Sequence, residues 1–162
     1  MTRSSQLRLI IHGSLFMLFT MTVGLPDLYI AFHFQMDLPI RQILRQSHAI
    51  FMATGIWMIA TAAVLPLLEH TYRSFSIIVW SLVLSGYTFI AALAVLFVGF
   101  WLNPAAARLP IQICQLKALP YYLGYLNAAL VGLSGITGLI AGLFIFWGAY
   151  KAARHSPLDA IQ

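Results

Sequence analysis

The chain has 162 residues, of which 61% are hydrophobic and 8% charged, and its mean hydropathy is +0.88. Soluble domains carry about 25% charged residues, so the composition argues against a water-soluble fold. The net charge of +5 is scattered over loops and tails, which suits contact with anionic headgroups and excludes nucleic acid as a partner. Cys114 is the only cysteine, so there is no internal disulfide and no cysteine-built zinc or iron–sulfur centre.

Four apolar stretches exceed the ~18 residues that a spanning helix needs. They cover residues 8–34, 48–68, 75–102 and 121–150. The predicted fold class is therefore all-α: an integral membrane bundle of four transmembrane helices, forming one domain over 1–162. Little chain remains for a soluble catalytic domain, so any chemistry sits in or beside the bilayer.

The first stretch is too long for the apolar region of a cleaved signal peptide and is read as a retained helix. Pro26 and Asp27 predict that it ends or kinks near Leu25, because proline removes a backbone donor. The acid either caps a helix and faces interfacial water, or serves as a proton acceptor or substrate anchor. After a loop around Asp37 and Pro39, Ile40 to Arg45 reads as a short amphipathic piece at headgroup level.

The second stretch ends at Pro66. The turn that follows, Glu69 to Ser74, is so short that it predicts the second and third helices as antiparallel neighbours. The third helix carries Trp80 and Tyr87 and reaches Trp101, an aromatic suited to the interface. The connection from Asn103 to Pro120 is long, proline-marked and still apolar, and is a candidate lid.

The fourth helix opens with Tyr121, Tyr122 and Tyr125, the pattern of an aromatic belt, and then Asn127. An amide in lipid must find a partner, either another helix or a ligand. Gly132, Gly135, Gly138 and Gly142 lie roughly along one face, a smooth groove for another helix or a flat ligand.

Histidines carry most of the potential chemistry, and depth sorts them. His12 lies one turn inside the first helix from the N-terminal side. His33 and His48 lie at the opposite side, His70 in the short turn and His155 in the tail. One metal shared by His12 and His48 within a subunit is thereby disfavoured, whereas His33 with His48 is geometrically possible. His48, beside Arg41, Arg45 and Ser47, is either a heme ligand or proton relay, or an interfacial residue capping the second helix. His12 is expected to stay neutral and to hydrogen-bond a neighbouring helix. No His-x-x-x-His or Glu-x-x-His pair exists, which disfavours a carboxylate-rich metal site.

His12-Gly13 in an apolar run, Arg45 with His48 and Gly55, Val64-Leu65-Pro66, and Ser85-Gly86-Tyr87 together resemble styrene oxide isomerase, and more loosely hydroxylaminobenzene mutase. These are small four-helix membrane enzymes. The resemblance covers about two thirds of the chain, with specificity concentrated around His12 and His48.

It implies that His48 ligates a ferric heme b held between the subunits of a homotrimer. The iron would act as a Lewis acid that opens an epoxide to an aldehyde, with the apolar substrate arriving from the lipid bilayer. The chain departs from the family pattern at Thr54, where an asparagine is expected. It departs again at Phe89 and Leu93, in place of an asparagine and a tyrosine, and at Ser85, in place of an acid. The heme scaffold is thus expected to be kept while the epoxide pocket is altered.

The expected function is a heme-dependent isomerase acting on a small apolar epoxide or aromatic substrate. The alternative is a non-catalytic heme protein for sensing, carriage or electron transfer. Expected site residues are His48 as axial ligand, Tyr87 and Asn127 as polar pocket contacts, and Thr54 near the heme. The expected location is a bacterial inner membrane. Arg3, Arg8, Arg73, Lys151 and Arg154 on the terminal side, against Arg41, Arg45, Arg108 and Lys117, favour cytoplasmic termini.

Overall fold

The computed structural model describes residues 2–34, 39–68, 71–103 and 121–154. All four described segments are helical, and each is long and apolar enough to cross a membrane. Helix α1 spans Thr2–Phe34, α2 Pro39–Val64, α3 Tyr72–Leu102 and α4 Tyr121–Arg154. A 3-10 turn, Leu65–Leu67, closes α2. Pro66 lies in this turn, where its missing N–H and fixed φ end the α-helical ladder. Thr71 then opens α3, its hydroxyl accepting the Ser74 N–H at 3.4 Å.

Two boundaries differ from the sequence expectation. Helix α1 does not end at Leu25 but runs on through Pro26 and Asp27 to Phe34. A proline inside a long helix leaves only one carbonyl unpaired, and the helix continues past the end of its apolar span at Leu25. The Ile40 to Arg45 piece is likewise not a separate interfacial element: it forms the first turns of α2. The expected lid, Pro104 to Pro120, and the Asp37 loop lie outside the described residues.

The helices pack as two antiparallel pairs, α1 with α2 and α3 with α4. Along the first seam, Gln6 Nε2 donates to the Ala62 carbonyl at 3.0 Å, and Gly13 meets Gly55 in the middle. A Cβ on Gly13 would stand 2.9 Å from the Gly55 carbonyl oxygen, and one on Gly55 would stand 2.8 Å from that of Gly13. The two backbones touch there, as small residues allow in membrane helix pairs.

Along the second seam, the Ser85 and Ser134 hydroxyls each donate to the other's carbonyl at 2.8 Å. The short α2–α3 turn does not make these two helices close neighbours as expected, because α2 packs mainly on α1. A short turn fixes direction, while the partner is chosen by the face that can approach closest, and that is the glycine crossing.

The pairs are joined through α1 and α3. Phe16 is fully buried at the junction, and its ring contacts those of Phe19, Phe51 and Tyr87. It occupies the space over Gly86, where any Cβ would collide with it. Among the described residues, no buried side-chain nitrogen or oxygen lacks a hydrogen-bond partner.

Candidate functional site

His48 lies in the third turn of α2 and packs onto α1. Its Nδ1 is 2.9 Å from the carbonyl oxygen of Thr20. A carbonyl can only accept, so Nδ1 carries a proton, and in the neutral ring the lone pair is on Nε2. Metal-ligating histidines commonly donate their other ring N–H to a backbone carbonyl in this way, which fixes tautomer and ring orientation. Gly24, one turn after Thr20, makes the approach possible: a Cβ there would lie 2.9 Å from His48 Nδ1 and 3.1 Å from Cε1. The residue as a whole is half-buried.

Among the described residues, no group of three or more His, Cys, Asp or Glu could hold a bare metal ion. A porphyrin brings four nitrogens of its own and needs only an axial ligand, so a lone oriented imidazole fits heme better than a free metal. The side chains of Asp27, His33, His70 and His155 lie outside the described residues, so the possible His33–His48 pairing does too.

A groove of about 590 Å³ opens between α2, α3 and α4. Its walls include Ile43, Ser47 and Ile50 from α2, Phe89 and Leu93 from α3, and Asn127 from α4. At 100° per residue, its α2 lining lies about 100–160° around the helix from His48. The imidazole and the groove are therefore on different faces of α2. Thr54 lies about 120° around and ~9 Å along α2 from His48, on the groove side of the helix.

Asn127 lines the groove while its Nδ2 donates to the Ala92 carbonyl at 2.7 Å, so it serves both the α3–α4 seam and the cavity. Tyr87 is placed elsewhere. Its hydroxyl is 3.1 Å from His12 Nδ1, and the two rings meet edge-on at 5.6 Å. His12 thus makes the expected bond to a neighbouring helix. The pair lies about eight residues, or ~12 Å, along α1 from Thr20.

The glycine face of α4 is mostly open within one subunit. A Cβ on Gly132, Gly135 or Gly142 would meet nothing within 4 Å, and only Gly138 faces a neighbour, the Ser85 hydroxyl at 3.2 Å.

The family model for styrene oxide isomerase matches residues 5–150. The chain belongs to that family. The match takes in all four helices and every residue of the His48 contact and the groove. No curated protein and no solved structure matches the chain. The family assignment makes an isomerase-like integral membrane protein the coarse description of the molecule.

Thr20 and Gly24, which hold the imidazole, were not singled out in the sequence. Nothing local marks a carbonyl as a histidine's partner. The Thr22-Val23-Gly24 stretch carries a usable signal only when α1 and α2 are set antiparallel with Gly13 opposite Gly55. That register brings residue 20 level with 48 and sets 24 one turn further along.

Proposed function

We propose that the chain is a heme b-dependent membrane isomerase, with His48 as the axial ligand and a small apolar epoxide or aromatic substrate. The observation that supports this is the Nδ1 bond to the Thr20 carbonyl, which fixes the orientation of the imidazole and leaves Nε2 as the nitrogen that can ligate. Bound heme would supply a Lewis-acidic centre that polarises a substrate oxygen.

The protein's share is placement and exclusion of water. Gly24 and Thr20 fix the imidazole, and the apolar walls of the groove hold a lipid-soluble substrate away from bulk water. Asn127 and Thr54 are the polar contacts on the groove side of their helices. Tyr87 belongs to the His12 contact and acts on the site through the position of α3.

His48 and the groove lie on different faces of α2, and we read the two as brought together between copies of the chain. A homotrimer, as the family resemblance implies, provides such contacts. The expected membrane is a bacterial inner membrane with cytoplasmic termini. Arg8 lies over Trp80 at 5.8 Å, Lys151 over Trp147 at 5.6 Å and Arg154 over Tyr150 at 4.5 Å, a basic and aromatic rim at the terminal end.

One observation favours the non-catalytic heme protein instead: Phe89 and Leu93 make the groove wall apolar where the family resemblance calls for an asparagine and a tyrosine. Assay of heme-loaded protein with styrene oxide separates the two. Formation of phenylacetaldehyde supports the isomerase, and heme binding without turnover of this or related epoxides supports the second reading.

A further inference from the structure

A notch of about 280 Å³ lies on α3, apart from the groove, and its lining is Ser76, Ile77, Trp80, Ser81 and Leu84. At 100° per residue these five share one arc of the helix, roughly opposite the buried Ile78, Val79 and Leu82. The notch therefore faces lipid, with Trp80 54% exposed. It belongs to the terminal-side end of the bundle: Ser76 lies three residues, and Ser81 eight, inside the span that begins at Arg73.

Two features separate this notch from bare lipid-facing surface. The first is a set of unspent donors. Thr20, Ser47, Thr88 and Thr137 each give the hydroxyl proton to the carbonyl four residues back. Ser76 and Ser81 do not. Among the described residues, neither of their hydroxyls nor the Trp80 indole N–H has a hydrogen-bond partner.

The second is a cation at the edge of the notch. The Arg8 guanidinium stands 5.8 Å from the centre of the Trp80 ring, and Trp80 is one wall of the notch. Arg8 is exposed and lies five residues inside the span that begins at Arg3, where a charge facing lipid needs an anion. The packing of the helices puts Arg3, Arg8, Arg73, Lys151 and Arg154 at this end. Of the chain's four acids, only Glu69 and Asp159 belong to it by position in sequence. Five cations against two acids leave at least three for an outside anion.

We propose that the notch seats an anionic glycerophospholipid, with its phosphate at Arg8 and its ester carbonyls at the Ser76, Ser81 and Trp80 donors. Phosphate and ester oxygens only accept, and every polar side chain of the notch and its edge has a proton to give. Ile77 and Leu84 offer an acyl chain an apolar wall, and Trp80 presents the ring and N–H that suit the membrane interface. A zwitterionic headgroup would bring its own cation into a patch that is already positive, so the anionic lipid is favoured.

The test titrates full-length, detergent-purified protein with phosphatidylglycerol and with phosphatidylcholine of the same acyl chains. Native mass spectrometry reads the affinity of the first lipid bound. Phosphatidylglycerol should bind about fivefold tighter, the usual worth of one cation beside an anionic headgroup. Arg8→Gln should abolish that preference, Arg8→Lys should keep most of it, and Arg154→Gln, on α4, should leave it unchanged. Ser76→Ala combined with Ser81→Ala should weaken both lipids by a similar factor. At one lipid per chain, phosphatidylglycerol brominated on its acyl chains should quench tryptophan fluorescence, and Trp80→Phe should remove most of that quenching.

Equal affinities for the two lipids, or a preference that survives Arg8→Gln, would overturn the proposal. So would a preference lost equally in Arg154→Gln, which would assign it to the charge of the whole rim. Binding of both lipids unchanged by the paired serine substitution would overturn the placement of the esters. Should Arg8→Gln fail to fold, the brominated lipid decides the matter: quenching unaltered in Trp80→Phe would overturn the site.

Discussion

Replacing Gly24 with alanine adds one methyl group on the face of α1 where His48 rests. Within a helix, glycine to alanine ordinarily gains up to about 1 kcal/mol from propensity alone. Here the new Cβ would stand 2.9 Å from Nδ1 and 3.1 Å from Cε1, where ordinary contact begins at 3.4 Å. The imidazole must therefore retreat from α1 by about half an ångström. The Thr20 carbonyl lies on the same helix face one turn back, so the retreat also stretches the 2.9 Å bond past the usual N–H···O limit of ~3.2 Å.

Overpacking of this kind costs about 1–3 kcal/mol, and a lost hydrogen bond costs about 1 kcal/mol more, so the propensity gain is outweighed. Gly24→Ala should lower stability by ~1–3 kcal/mol in denaturing-detergent titrations in mixed micelles. On the proposed role of His48 as a heme ligand, it should also weaken heme binding by about 10–100-fold, the usual effect of disturbing the partner that orients a ligand. Gly124→Ala is the control, since nothing lies within 4 Å of its Cβ position. A Gly24→Ala protein as stable as the parent, with unchanged heme affinity, would refute the account of how His48 is held.

Gly55→Ala should destabilise by ~1–3 kcal/mol, because its Cβ meets the Gly13 backbone at 2.8 Å, whereas Gly132→Ala should be neutral or slightly stabilising by the same detergent titration. Tyr87→Phe removes the hydroxyl that meets His12 at 3.1 Å and should cost about 0.5–1.5 kcal/mol. In a double-mutant cycle with His12→Phe, the two losses should not add, and strictly additive losses would show that the contact carries no energy.

Much of the fold was legible because lipid leaves few options. Four apolar stretches of spanning length have only helices to form, and composition alone locates them. What was not legible depended on which faces meet. Pro26 reads locally as a breaker, but the loss of one backbone bond does not stop a helix that has turns on both sides of it. The short turn before Tyr72 suggests α2 against α3, yet the Gly13–Gly55 contact takes α2 to α1, and single-sequence spacing gives no measure of that competition.

The site divides in the same manner. His48 stands out as a histidine at the start of a span, and Asn127 as an amide in lipid. Their partners are the carbonyls of Thr20 and Ala92, and a backbone oxygen has no signature in sequence. Tyr87 and His12 were each visible, but only the parallel packing of α1 on α3 shows that they answer one another.

The claim on which the functional account turns is that His48 presents a free Nε2 to iron porphyrin. An absorption spectrum of detergent-purified protein from heme-replete cells, with and without dithionite, tests it most directly. A Soret band that shifts on reduction, is absent from His48→Ala and returns on adding free imidazole is the predicted result. A colourless protein, or a Soret band unchanged in His48→Ala, would contradict it.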